Sequence, residues 1–210
     1  MPLFVKTLLL AIDVQNDFCP GGSLAVPDGD AVVAPINALA AAVAGRGGRV
    51  VATQDWHPRG HVSFASSHRP GGGPPGVDLW PDHCVQGGPG ADFHPGLDPG
   101  PVSLVVRKGF RLGLDSYSAF FENDRLTPTG LEGWIRGLGI DTVVVAGLAT
   151  DYCVFHSAMD SLRLGFATIV AEDAVRGVGM PEGSVERAVA AMRDAGAVFS
   201  DSRGLLGGLS

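Results

Sequence analysis

Three side chains of this 210-residue sequence could together run nucleophilic catalysis by sulfur: the thiol of Cys153, the carboxylate of Asp13 and the ammonium of Lys108. A thiol is the nucleophile, a carboxylate takes its proton, and a nearby cation stabilises the thiolate. Each has an ordinary reading by itself: a small buried apolar residue, a turn cap and a solvated lysine. Lys108 stands out because Lys6 is the only other lysine in a chain that writes its remaining cations as Arg. A second group, Asp55, His57 and His61, falls within seven residues, with His83 further on in WPDHC. Pro58 and Gly60 argue against a helical metalloprotease motif there, and no Glu follows His57. A looped Asp/His site remains, whose nitrogen and oxygen donors suit one divalent ion, Zn, Fe or Mn, without choosing among them.

These residues must be positioned by regular elements. Thr142 to Ala146 is β-branched and apolar, too short for a helix core and bounded by Gly147, which predicts a buried parallel strand. Beyond it the apolar spacing turns helical through Val154, Ala158 and Leu162 and stops at Gly165. Thr150 or Asp151 is the expected cap, so Cys153 is expected in the first turn, where the helix dipole favours an ionised thiol. Other strands are expected at Phe4–Ile12, Arg49–Thr53, Val102–Arg107, Phe166–Ala171 and Ala197–Ser200. Helices are expected through Ile36–Val43, capped by Asp28 or Asp30, at Thr129–Leu138, and at Pro181–Ala195 with the proline at its start. Trp56 to Gly100 is rich in Gly and Pro and has neither period, while its Trp and Phe residues argue against a disordered linker.

Alternating strands and helices predict an α/β fold: a single domain over 1–210, three layers α/β/α, with a six-stranded parallel sheet. In such sheets ligands bind beyond the carboxyl ends of the strands, where Asp13, Asp55, Lys108 and Cys153 all fall. Neither a dinucleotide nor a P-loop glycine motif follows the first strand.

With 45% hydrophobic and 18% charged residues, the chain has enough material for one sizeable core. A net charge of −7 without a basic run argues against nucleic acid, and no apolar stretch approaches a membrane span. Cys19, Cys84 and Cys153 are scattered and odd in number, which fits a reducing compartment, with the cytoplasm as the expected location.

The segments IDVQNDFCPGGSLAV, TQDWHP with His61 beyond it, WPDHCVQGGPGADFHP, RKG and GLATDYCV resemble, in the same order, the nicotinamidase branch of the isochorismatase-like hydrolases. The resemblance implies a Cys–Asp–Lys triad at Cys153, Asp13 and Lys108, and metal ligands at Asp55, His57, His61 and His83. It implies a cis peptide between Leu148 and Ala149, with the N–H groups of Ala149 and Cys153 as an oxyanion hole. Phe18, Trp80 and Tyr117 are the implied ring contacts, and Tyr152 stands where some members have His. The implied activity is hydrolysis of nicotinamide to nicotinate and ammonia through a cysteine thioester, with pyrazinamide also a substrate, as part of recycling NAD breakdown products. Three other readings stay open: an amidase or ureidohydrolase of the same superfamily, a hydrolase in which metal-bound water attacks and Cys153 is structural, and a catalytically silent metabolite-binding protein.

Overall fold

A computed structural model describes residues 6–207. Six strands form one all-parallel sheet: β1 (Thr7–Ile12), β2 (Arg49–Asp55), β3 (Leu104–Lys108), β4 (Thr142–Leu148), β5 (Ala167–Arg176) and β6 (Val198–Ser200). Their spatial order is β3-β2-β1-β4-β5-β6. Because side chains alternate along a strand, Leu8, Leu10 and Ile12 enter the core on one side of the sheet and Leu9 and Ala11 the core on the other. Helix α1 (Val33–Gly45) covers one side with Ile36, Leu39, Ala40 and Val43, joined by Leu205 and Leu206 of α5 (Ser202–Gly207). Helices α2 (Leu131–Gly137), α3 (Phe155–Arg163) and α4 (Ser184–Asp194) cover the other through Leu131, Ile135, Ala158 and Met192. Both faces of β1 and β4 are therefore dry, and each Val or Leu buried there is worth about 1.5–3 kcal/mol as an upper bound. No helix among the described residues is long and apolar enough to cross a membrane.

The chain runs outward from β1 to β3 in one direction and from β4 to β6 in the other. The reversal lies between β1 and β4, the place where an open parallel sheet forms a crevice at its carboxyl end. There Ile12 pairs with Gly147, which adopts φ +114°; a β-carbon on Gly147 would lie 2.1 Å from the Ile12 carbonyl oxygen. Only glycine lets β4 close on β1 at that point.

The expected strands are present with shifted ends. Phe4 and Val5 lie outside the described residues, β3 extends to Lys108, and β5 continues to Arg176. The expected caps are replaced. Asp28 is left-handed and makes no side-chain cap, and a tight turn at Gly29–Val32 leads into α1. Neither Thr150 nor Asp151 caps α3; residues 150–154 form one wide π-helical turn. Pro181 follows Met180 through a cis bond, and α4 starts only at Ser184. At Asp151 the reason is a tertiary one: its carboxylate is taken by Val178, Gly179 and Ser184, which overrides the local capping preference.

The segment 56–100 has only short turns at 65–67 and 89–91, yet it is held at many points. The Asp17 carboxylate accepts from the Cys84 N–H at 2.7 Å, the Gln15 amide donates to the carbonyls of Asp55 and Ala91, and the His57 N–H donates to the Cys84 carbonyl. These bonds replace a ladder and fold the segment over the strand ends.

Candidate active site

Lys108 is the hub of the crevice. It ends β3, is fully buried, and its Nζ lies 2.8 Å from Asp13 Oδ2, 2.5 Å from Asp55 Oδ1, 3.0 Å from the Ser116 carbonyl and 3.2 Å from Cys153 Sγ. Asp13 follows β1 in the left-handed region, φ +49°, an uncommon conformation for a residue with a side chain and one found preferentially at functional sites. Thr53 of β2 secures it twice: the hydroxyl donates to Asp13 Oδ1 at 2.5 Å and accepts from the Asp13 N–H at 3.1 Å. One carboxylate oxygen each of Asp13 and Asp55 lies within 4.8 Å of the Cys153 sulfur and of the other. The structure thus brings the three expected triad residues together in space.

Burial sets the electrostatics, and charges modify it. Desolvation is the largest influence on Lys108 and pulls it down, but Asp13, Asp55 and Cys153 outweigh it and hold the ammonium well above the ordinary lysine range. Asp55 is likewise pushed up by burial, yet Lys108, His57 and His83 bring its carboxyl below the ordinary range. Asp13 is raised, burial outweighing the attraction of Lys108. Cys153 is also pushed well up by burial, against the pull of Lys108 and with further pressure from Asp13 and Asp55. This corrects the expectation of a readily ionised thiol: burial of the sulfur, with Asp13 and Asp55 beside it, outweighs the pull of Lys108. The arrangement favours a thiol beside a carboxylate of raised basicity, with the cation to hold the charge when the proton moves.

The expected metal ligands divide. Asp55, His57 and His83 offer ligand atoms within 4.8 Å of one another, the Asp55 Oδ2 lying 3.6 Å from His57 Nε2 and 3.9 Å from His83 Nε2. The Nδ1 atoms of His57 and His83 face the carbonyls of Gly109 and Pro81 at 2.8 and 2.7 Å, which turns both Nε2 atoms toward Asp55. Backbone-anchored imidazoles around a carboxylate are a donor set that fits a divalent ion. His83 is lowered chiefly by its burial, whereas His57 is raised because its contacts with Asp55 outweigh its burial; a cation bound there would displace that proton. His61 is placed differently. Its Nδ1 lies 2.7 Å from the Ser63 hydroxyl, its ring stacks on His57 at 4.2 Å, and its third neighbour is Asp115 rather than Asp55 or His83.

A pocket joins the two groups. Its walls include Phe18, Trp80 and Tyr117, as expected, together with Asp55, His57 and His83 of one group and Ala149 and Cys153 of the other. The Leu148–Ala149 bond is cis. Trp80 Nε1 donates to the Tyr117 hydroxyl at 3.1 Å, which donates to Asp78 at 2.9 Å. Leu24, Val26, Asp115, Tyr152 and Val178 complete the lining. Of these, sequence reasoning had singled out Tyr152 alone. Asp115 sits in an irregular stretch with no period to aim its side chain, and Thr53 is hidden as an unremarkable strand residue.

An isochorismatase domain profile matches residues 7–203. The nicotinamidase of Escherichia coli is 46% identical over 197 residues, covering 91% of this chain and 92% of the relative. A solved nicotinamidase/pyrazinamidase of Acinetobacter baumannii superposes with a TM-score of 0.89 at 46% identity, covering 95% of this chain and 98% of that one. A Pyrococcus horikoshii pyrazinamidase solved in complex with zinc gives 0.80 at 35% identity, covering 93% and 99%. With sequence similarity along most of its length and the same sheet beneath it, the chain belongs to the isochorismatase-like hydrolase family, in its nicotinamidase branch.

Proposed function

We propose that this chain hydrolyses nicotinamide to nicotinate and ammonia, and accepts pyrazinamide as well. The observation that carries the reading is Lys108, whose ammonium touches the Cys153 thiol, the Asp13 carboxylate and Asp55 of the Asp/His cluster, beneath one pocket lined by Asp55, Cys153, Phe18 and Trp80. In the proposed reaction Asp13 takes the Cys153 proton as the sulfur bonds to the carboxamide carbon. The oxygen of the resulting tetrahedral intermediate is received by the N–H groups of Ala149 and Cys153, a donor of that kind being worth about 2.7–4 kcal/mol. Asp13 returns the proton to the departing nitrogen, ammonia leaves, and a thioester remains. Water gives its proton to Asp13 as its oxygen attacks the thioester; the C–S bond breaks and the thiol is restored with nicotinate released.

Asp55, His57 and His83 would hold a divalent ion, which would supply Lewis-acid chemistry for orienting the substrate ring. Phe18 and Trp80 hold the ring faces, so the carboxamide is presented to the sulfur in one orientation. The zinc of the Pyrococcus pyrazinamidase and the donor set seen here support this assignment. Three free cysteines support action in a reducing compartment, here taken to be the cytoplasm.

The test is ammonia release from nicotinamide by parent and Cys153→Ala, with metal content measured in both. The parent is expected to turn over, and the variant to lose at least about a thousandfold in kcat while keeping its metal and its nicotinamide binding. Near-parental release by the variant would overturn covalent catalysis in favour of attack by metal-bound water.

A further inference from the structure

The turn that carries Cys153 is tied to the segment 177–183, which joins β5 to α4 and contributes Val178 to the pocket wall. The two residues before the cysteine make the ties. Asp151 is 9% exposed, and its carboxylate accepts from the N–H groups of Val178 and Gly179, both at 2.9 Å, and from the Ser184 hydroxyl at 2.5 Å. The Tyr152 hydroxyl donates to the Met180 carbonyl at 2.6 Å. Gly177 allows the close approach: a β-carbon there would lie 2.3 Å from the Val185 side chain and 3.2 Å from Asp151 Oδ1. The Tyr152 ring packs edge-on against Trp80, centroids 4.9 Å apart, and tilted against Tyr117 at 5.5 Å.

We propose that Asp151 and Tyr152 are positioning residues that clamp the segment 177–183 as the outer wall of the pocket and thereby limit the size of ring the site accepts. Charge-assisted bonds from a buried carboxylate to two consecutive amides fix backbone more firmly than neutral ones, and they fix Val178 in particular. Tyr152 acts twice, its hydroxyl holding the segment and its ring closing the aromatic wall with Trp80 and Tyr117. Because both residues belong to the nucleophile's own turn, the wall and the sulfur keep a constant spacing. The substrate part of the proposal rests on the nicotinamidase reading; the clamp itself does not.

The experiment compares the parent with Tyr152→Phe, Tyr152→Ala, Asp151→Asn and Asp151→Ala. Two readouts are taken: kcat and KM for nicotinamide and for the fused-ring quinoline-3-carboxamide, and the rate at which N-ethylmaleimide alkylates Cys153, followed by peptide mass spectrometry. Tyr152→Phe loses only the tie to Met180, and its nicotinamide KM is expected to rise about tenfold with kcat within about twofold, the pattern of lost binding without lost chemistry. Tyr152→Ala is expected to gain about tenfold in kcat/KM on quinoline-3-carboxamide relative to nicotinamide, and to alkylate about tenfold faster, as an opened wall requires. Asp151→Asn, which retains an acceptor oxygen, is expected to fall between the parent and Asp151→Ala. Parental alkylation rates and parental ring discrimination in both Tyr152 variants would overturn the clamp, as would a fall in kcat at unchanged KM. Should Asp151→Ala not fold, the Tyr152 pair decides. Should the parent release no ammonia from nicotinamide, the functional reading falls, and the alkylation rates alone uphold or overturn the clamp.

Discussion

Replacing Lys108 by Met tests the electrostatic account of the site most directly. The ammonium is completely buried and separates two buried carboxylates, Asp13 and Asp55, at 2.8 and 2.5 Å. Removing one partner of a buried ionic group costs about 3–5 kcal/mol because the remaining charge is left without a counterion. For a chain of this size each kcal/mol moves Tm by about 2–4 °C, so the variant should melt roughly 6–20 °C lower at pH 7. The loss should depend on pH with a definite sign. In the parent the depressed Asp55 carboxyl contributes stability that is present above its unfolded pKa of about 3.9 and fades as pH falls through the folded value. In the variant both acids face each other without a cation, so at least one is raised; its penalty is present above the raised value and is relieved as pH falls through it. The relief of the raised acid narrows the gap between parent and variant on going from pH 7 toward pH 4, and the fading of the Asp55 contribution in the parent narrows it further only below about pH 4. Calorimetry on chelator-treated protein across that range measures it, and adding Asp13→Asn to Lys108→Met should restore part of the lost stability without restoring activity. A variant as stable as the parent, or a deficit that does not change with pH, would refute the view that Lys108 is the counterion of both acids.

Thr53→Val keeps the strand but removes the hydroxyl that both donates to Asp13 and accepts its N–H, so stability should fall by about 1–3 kcal/mol in denaturant titration, with kcat lowered more than KM is changed. Gly147→Ala forces a β-carbon onto the Ile12 carbonyl at a φ of +114°, and should cost at least about 3 kcal/mol or prevent folding, read by the urea midpoint. His83→Ala removes one of three converging candidate ligands and should weaken zinc affinity by more than the about 10–100-fold typical of losing an outer-shell partner, read as metal content after dialysis against limiting zinc. His61→Ala should lower it less, because His61 stands with Asp115 beyond the Asp55–His57–His83 group; equal losses would place His61 on the ion.

The sheet was legible because its central strands are buried on both faces, so that runs such as Thr142 to Ala146 had only one plausible use. The placement of Asp13, Asp55, Lys108 and Cys153 at strand ends followed from the same pattern, since parallel topology puts all carboxyl ends on one edge. Caps were not legible. Asp151 looks like the start of a helix in the sequence, but its carboxylate is taken by Val178, Gly179 and Ser184, more than 25 positions away. The metal quartet could be listed by residue type but not divided, because which histidine faces Asp55 depends on the carbonyls of Gly109 and Pro81 holding the far nitrogens. The helical position of the thiol points to an acidic group, but the sequence does not show that the fold brings Asp13 and Asp55 beside the sulfur and buries it.

The order β3-β2-β1-β4 makes catalytic competence a property of a finished sheet. In the proposed mechanism lysine, metal-site acid, base and sulfur come from the carboxyl ends of four neighbouring strands, so β1 to β3 supply the cation and two acids and only β4 brings the Cys153 sulfur. A chain regaining structure after dilution from urea should recover helical signal before ammonia release, and the moment turnover begins marks the docking of the fourth strand onto the first.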